Sequence, residues 1–317
     1  MRVVLFLVSV TLLTLPAQAA SDRPNGFSLH PSSISREEIL SGGPPKDGIP
    51  ALDHPPTLSA QAADLDDDAW VIGIESGGEA RAYPIQILVW HELVNDTVGG
   101  RPILVSYCPL CGTGIVFDRR VRTTPDRESS QLGDADRFGV SGLLYQSDML
   151  IYDQASESLW SQISARAVTG KRMGQQLTLL RSTQQRWGDW RAAYPETKVL
   201  SPDTGYRRSY SRSLYGNYAN SGNLLFPAYQ DRRYHPKMRT VGIRLANGRA
   251  RAYPAVELER HGSTLIEDFE GYRIRISYDV DRKQFDVAAP SSVEVVEAYW
   301  FAWVAFHRST TVFRAER

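Results

Sequence analysis

The chain has 317 residues, 42% of them hydrophobic, and its 36 Lys and Arg balance its 36 Asp and Glu to a formal charge of zero. No basic block accompanies that balance, which excludes the clustered Lys and Arg of a nucleic-acid-binding surface. A chain of this length buries an ample core, so its two cysteines are not needed as a disulfide framework.

The chain opens "MRVVLFLVSVTLLTLPAQAA", with one early Arg, an apolar run and then Ala17-Gln18-Ala19. A basic start, a short apolar core and small residues at a cut site predict a secretory signal over residues 1–19 and an exported protein, periplasmic or extracellular. The run is shorter than the ~18 residues of a spanning helix and stops at Pro16. Residues 20–66, as in "SGGPPKDGIPALDHPP", predict an irregular extension that wraps the surface. The remainder, 67–317, reads as a β-rich domain.

That domain contains an internal repeat, with units near 69–120 and 239–285. "GIESGGEARAYPIQILVWHELVNDTVGGRPILVSYCP" begins at Gly73, and "GIRLANGRARAYPAVELERHGSTLIEDFEGYRIRISYDV" begins at Gly242. Each predicts a hairpin ending at Tyr-Pro, a short helix and a second hairpin. The expected fold is therefore mainly β (α+β), with two related lobes and a few short helices. His91 pairs with His261, Arg81 with Arg251, and Tyr83 with Tyr253, which marks these as residues of the shared fold. Cys108 falls opposite Asp279 and Cys111 opposite Arg282, so the cysteines belong to one copy only.

Between the copies, the polar run Val121 to Arg137 predicts an exposed loop, and "FGVSGLLYQSDMLIYD" with "SLWSQ" predicts short strands. "STQQRWGDWRAAYP" fits a helix capped by Ser182 or Thr183, with Trp187 and Trp190 inward. Tyr, Arg, Asn and Ser from Tyr206 to Tyr218 suit either a polar binding surface or a solvated connection. Late in the chain, "AYWFAWVAFH" is too short to span a membrane and reads as a buried helix. The mature chain is thus expected to carry no transmembrane segment.

The chemistry centres on "SYCPLCGTG", Ser106 to Gly114. As a staple, so small a ring gives only about 2 kcal/mol, against about 3 for a fifteen-residue loop. As a redox couple, Cys-Pro-Leu-Cys lacks the usual helix at the first Cys, because Gly112-Thr113-Gly114 and "IVFD" predict a turn into a strand. As a metal knuckle, it offers Cys108 and Cys111 as two thiolates, with His91 in "VWHELVND" as the candidate third ligand. Thiolates with an imidazole suit copper or zinc. A buried core histidine is the competing reading of His91.

Asp148, Trp160, Ser161 and Gln162 could line one cleft with the cysteines, together with Ser147 and Asp153. A hydrolase reading makes Cys108 the nucleophile, His91 its base and Asp148 the orienting acid, although no recognised elbow supports it. The bland alternative places Asp and Ser in turns and Trp160 in the core. A carbohydrate- or peptide-binding reading uses Trp160 and the tyrosines and needs no cysteine chemistry.

"HELVNDTVGGRPILVSYCPLCGTGIVFDRR", "FGVSGLLYQSDMLIYD", "SLWSQISARAVTG", "VLSPDTGYRRSY" and "RAYP" together resemble an exported prokaryotic family defined as a domain of unknown function, number 3179. The resemblance runs from about Ala69 to Phe313 and implies an exported β-rich protein. The polar run after Val121 and the "LIEDFEG" of the second copy depart from the pattern. No catalytic residue comes with the resemblance, so the leading reading remains a soft-metal-binding protein, beside a thiol-disulfide redox protein and a non-enzymatic binding protein.

Overall fold

The computed structural model describes residues 23–122, 132–262 and 264–316, so the secretory signal read in residues 1–19 lies outside the described residues. Alternation in "YRIRISY" does what a half-buried strand requires: on Tyr272–Asp279, Ile274 and Ile276 are buried while Arg273 and Arg275 face solvent. Ile103 to Ser106 on Arg101–Cys108 are buried without a break, which marks a strand covered on both faces.

Five larger sheets, three of five strands, one of four and one of three, make the fold mainly β, as predicted. Four short helices accompany them among the described residues: α1 (Ile85–His91), α2 (Trp187–Ala193), α3 (Ala255–His261) and α4 (Trp300–Phe306). The sheets are arranged as a five-bladed β-propeller, a more specific arrangement than two lobes. The repeat accounts for four of those sheets. In the first copy, Trp70–Ser76 and Glu79–Pro84 belong to one sheet, α1 crosses over, and Leu93–Val98, Arg101–Cys108 and Thr113–Asp118 belong to another. The second copy repeats this order with Arg239–Arg244, Ala250–Pro254, α3, Leu265–Phe269, Tyr272–Asp279 and Gln284–Ala288.

The registers coincide. Ile72 faces Tyr83 as Val241 faces Tyr253, and Cys108 faces Thr113 as Asp279 faces Gln284. Arg81 and Tyr83 converge on the buried Asp96, and Arg251 and Tyr253 converge on Glu267. A carboxylate held by a guanidinium and a phenol, buried in the first copy and half-buried in the second, is therefore part of the shared scaffold, as the presence of Arg and Tyr in both copies implies.

The repeat also extends further than its sequence shows. Thr183–Arg186 pairs with Trp70–Ser76 and leads into α2, after which Lys198–Leu200 runs parallel to Glu79–Pro84. Glu294–Tyr299, α4 and Thr311–Val312 do the same on the second copy. Trp190 donates its indole N–H to Thr197 Oγ1 at 2.9 Å, and Trp303 donates to Thr310 Oγ1 at 3.1 Å. Helix α2 starts at Trp187, after a strand that includes Thr183, so the cap expected at Ser182 or Thr183 is displaced by sheet pairing. Helix α4 is the buried helix expected of "AYWFAWVAFH", with Trp300 to Ala305 inside.

The fifth sheet comes from the sequence between the copies: Phe138–Tyr145, Asp148–Asp153, Leu159–Ser161 and Arg166–Ala167. Its far edge is Ile39–Ser41, from the segment expected to be irregular. That segment also adds Leu52–Asp53 and Thr57–Ser59 to two other sheets, so it is stitched into the fold by backbone pairing. The polar run after Val121 is likewise not wholly loop: Arg120–Arg122 pairs with Leu132–Ala135, and 123–131 lie outside the described residues. Among the described residues, no helix is long and apolar enough to cross a membrane.

Candidate metal centre

Cys108 ends the strand Arg101–Cys108, and Thr113 starts the next one, so Pro109 to Gly112 form a tight hairpin loop. The strand exit predicted from Gly-Thr-Gly is present, and neither cysteine sits at a helix N-terminus. Cys111 N–H closes the turn on Cys108 O at 3.2 Å. Gly112 follows at φ 59°, a backbone conformation that side chains disfavour. A Cβ there would also lie 2.6 Å from the Tyr299 ring. The second copy's strand Glu294–Tyr299 holds the loop from outside: Tyr299 N–H donates to Cys111 O at 2.8 Å, and Thr113 Oγ1 donates to Glu297 O.

From the other side comes the fifth sheet. The turn at Gln146 and Ser147 delivers Asp148 at the start of its strand. The Cys111 thiol lies 3.4 Å from Ser147 O and 3.7 Å from Asp148 Oδ1. Asp148 Oδ2 accepts from Ile163 N–H at 3.1 Å and from Ser161 Oγ at 3.5 Å, which fixes the carboxyl's orientation. Cys108, Cys111 and Asp148 thus form a buried group whose ligand atoms lie within 4.8 Å of one another. Both cysteines are free thiols.

Burial sets the protonation of this group. It pushes the Cys111 thiol well up, with the neighbouring Cys108 and Asp148 acting in the same direction. It also raises the Asp148 carboxyl to about 7, against the opposing hydrogen bonds from Ile163, Cys111 and Ser161. Glu92, the residue after α1, is carried up to about 8 by burial and by the charge of Asp148. Its carboxylate makes no hydrogen bond or ion pair among the described residues, and its backbone sits at φ 59°. The matching position after α3 is Gly262, at φ 75°.

Of the residues singled out in the sequence, Cys108, Cys111, Asp148 and, through Asp148, Ser161 come together. His91 does not join them: its Nδ1 lies 2.8 Å from Pro50 O and its Nε2 2.7 Å from Tyr210 Oη, while Tyr206 packs on the ring. Burial lowers its pKa, as expected for a neutral, hydrogen-bonded interior histidine. Cys108, His91 and Asp148 therefore do not assemble as a triad. Trp160 fills the core against Phe138 and donates to Asp153 at 2.9 Å, so it lines no cleft. Gln162 lies behind the loop, donating to Ser106 Oγ at 2.9 Å and to Thr113 O. Glu92 is the residue that sequence reasoning missed; its signal was Glu in one copy opposite Gly in the other.

The loop is not sealed from solvent. Pro109 borders a cavity of about 340 Å³, walled by Tyr107, Tyr215, Tyr218 and Tyr299. A family model described as "Protein of unknown function (DUF3179)" matches residues 46–291. No curated protein and no solved structure matches the chain.

Proposed function

Since the chain belongs to the DUF3179 family, which brings no activity with it, we propose from the site alone that this is an exported protein that binds a thiophilic metal ion. Cys108 and Cys111 supply two thiolates and Asp148 a carboxylate oxygen; the observation that carries the reading is their convergence within 4.8 Å. Two sulfurs and one oxygen, with a fourth position left to water or a further ligand, suit zinc(II) better than copper(I), which prefers an all-soft set. The cation would displace protons that burial otherwise keeps on Cys111 and Asp148, so uptake releases acid and strengthens with pH.

Metal analysis of anaerobically purified full-length protein, followed by zinc(II) and copper(I) titration, tests this. About one equivalent of metal is expected, abolished in a Cys108→Ser, Cys111→Ser double variant and bound roughly 10–100-fold more weakly in Asp148→Asn. Failure of the wild type to retain or take up either metal overturns the reading. A redox role is less well supported, because an attacking thiol needs exposure, and Cys108 and Cys111 are both buried and neither sits at a helix N-terminus.

A further inference from the structure

Gly112 borders a second cavity, of about 560 Å³, within the size range of small-molecule sites. Its walls include Trp70, Tyr107, Tyr278 and Tyr299. Its charged lining is of one sign: Lys237, Arg239 and Lys283 are among the lining residues with His235, and no Asp or Glu is among the described residues that line it.

Lys237 is the most informative of these. Its residue is only 5% exposed, yet its ammonium makes no ion pair among the described residues. It donates to the neutral carbonyls of Ser221 and Asn223, at 3.1 and 2.8 Å, and lies 3.9 Å from the centre of the Tyr218 ring. Buried charges are ordinarily paired, because leaving water costs several kcal/mol. Neutral carbonyls and a ring face soften that cost without supplying a counter-charge. Arg239 is partly neutralised by Glu297 at 3.1 Å, and its guanidinium stacks 4.4 Å from the Trp70 ring, presenting a flat cationic surface.

We propose that this cavity is a binding site for a small organic anion with a flat, aromatic body, its carboxylate directed toward Lys237 and its ring lying among the aromatic walls. Gly112 belongs both to this cavity's wall and to the cysteine loop, so a bound anion rests against the backbone of that loop. The site stands on its own lining and does not depend on a metal being bound.

Isothermal titration of the full-length protein with 1-naphthoate, beside the neutral 1-naphthalenemethanol, tests it. The anion is expected to bind at least about tenfold more tightly than the alcohol, a difference of about 1.4 kcal/mol, and to weaken as salt is raised. Lys237→Met should cost the anion about tenfold or more while leaving the alcohol unchanged. Should that variant fail to fold, Lys283→Glu, at an exposed position, carries the same test and should weaken the anion alone. Equal affinity for anion and alcohol, no anion binding at millimolar concentration, or indifference of both lysine variants overturns the proposal.

Discussion

At the level of single residues, Glu92 is placed where the chain's own second copy uses glycine. A non-glycine residue at positive φ carries a cost on the order of 1–3 kcal/mol, and a buried carboxyl without partners adds to it. Glu92→Gly is therefore expected to stabilise the metal-free protein by about 1 kcal/mol, after allowing for glycine's greater freedom when unfolded. The gain should be larger at pH 8 than at pH 5, since the cost of burying this carboxyl grows as its unfolded form ionises. Denaturant titration at the two pH values checks both statements. Equal or lower stability of the variant would mean that Glu92 is well accommodated where it sits. The cysteines were legible at this scale because their spacing is local. Asp148 stood among the cleft candidates, but its pairing with Cys111 joins positions 37 apart, and no periodicity encodes that. His91 misled because histidine beside a thiolate motif reads as a ligand, whereas here Pro50 and Tyr210 occupy both ring nitrogens.

Among the elements, the repeat was legible as far as its motifs are contiguous. Strand, turn, Tyr-Pro, helix and returning hairpin all form as read, and the register places Cys111 opposite Arg282 as the alignment required. What escaped was the remainder of each unit, α2 and α4 with their flanking strands: Trp187, Trp190 and Ala192 match Trp300, Trp303 and Ala305, but these three identities stand apart from the contiguous motifs, and only the packing shows what the second tryptophan does. The first glycine of each Gly-Ile pair shows why that tryptophan matters. A Cβ on Gly73 would fall 2.3 Å from the Trp190 ring and one on Gly242 2.2 Å from the Trp303 ring. Gly73→Ala and Gly242→Ala should each destabilise by about 1–3 kcal/mol through overpacking, by amounts similar to one another. Thermal unfolding of the two variants measures this. A neutral result at one site only would show that the two tryptophans are not packed equivalently.

For the molecule as a whole, class was legible and arrangement was not. Alternating apolar residues and turn formers announce strands, but nothing in a single strand says which sheet it joins. The fifth sheet is otherwise built of local hairpins, but its edge strand Ile39–Ser41 joins through pairings over a hundred residues apart, as between Ser41 and Leu143. Stability against pH is a property at this scale. Folding raises the carboxyl pKa of Asp148 to about 7, of Glu297 to about 7 and of Glu92 to about 8, chiefly through burial. Groups raised in this way contribute fully below their unfolded pKa, near 4, and lose that contribution as pH climbs through 7 to 8. His307, lowered by burial to about 3, and His91, also lowered by burial, act oppositely and lose their contributions as pH falls below about 6.5. Three raised carboxyls outweigh two histidines between pH 5 and 8, so the metal-free protein should unfold at lower denaturant concentration at pH 8. A flat or rising profile across that interval would contradict the burial of these carboxyls.

Tyr299 and Glu297, which hold the cysteine loop, come from the closing part of the chain, while Cys111 belongs to its first half. Synthesis runs from the N-terminus, and domains build in that direction. During translation, therefore, Cys108 and Cys111 exist as a loop without its outer clamp until Glu294–Tyr299 has also been made. A chain cut short before Glu294 would keep both thiols yet lack the hydrogen bonds that hold their loop from outside. The final geometry of the loop thus depends on a strand made well over a hundred residues after it.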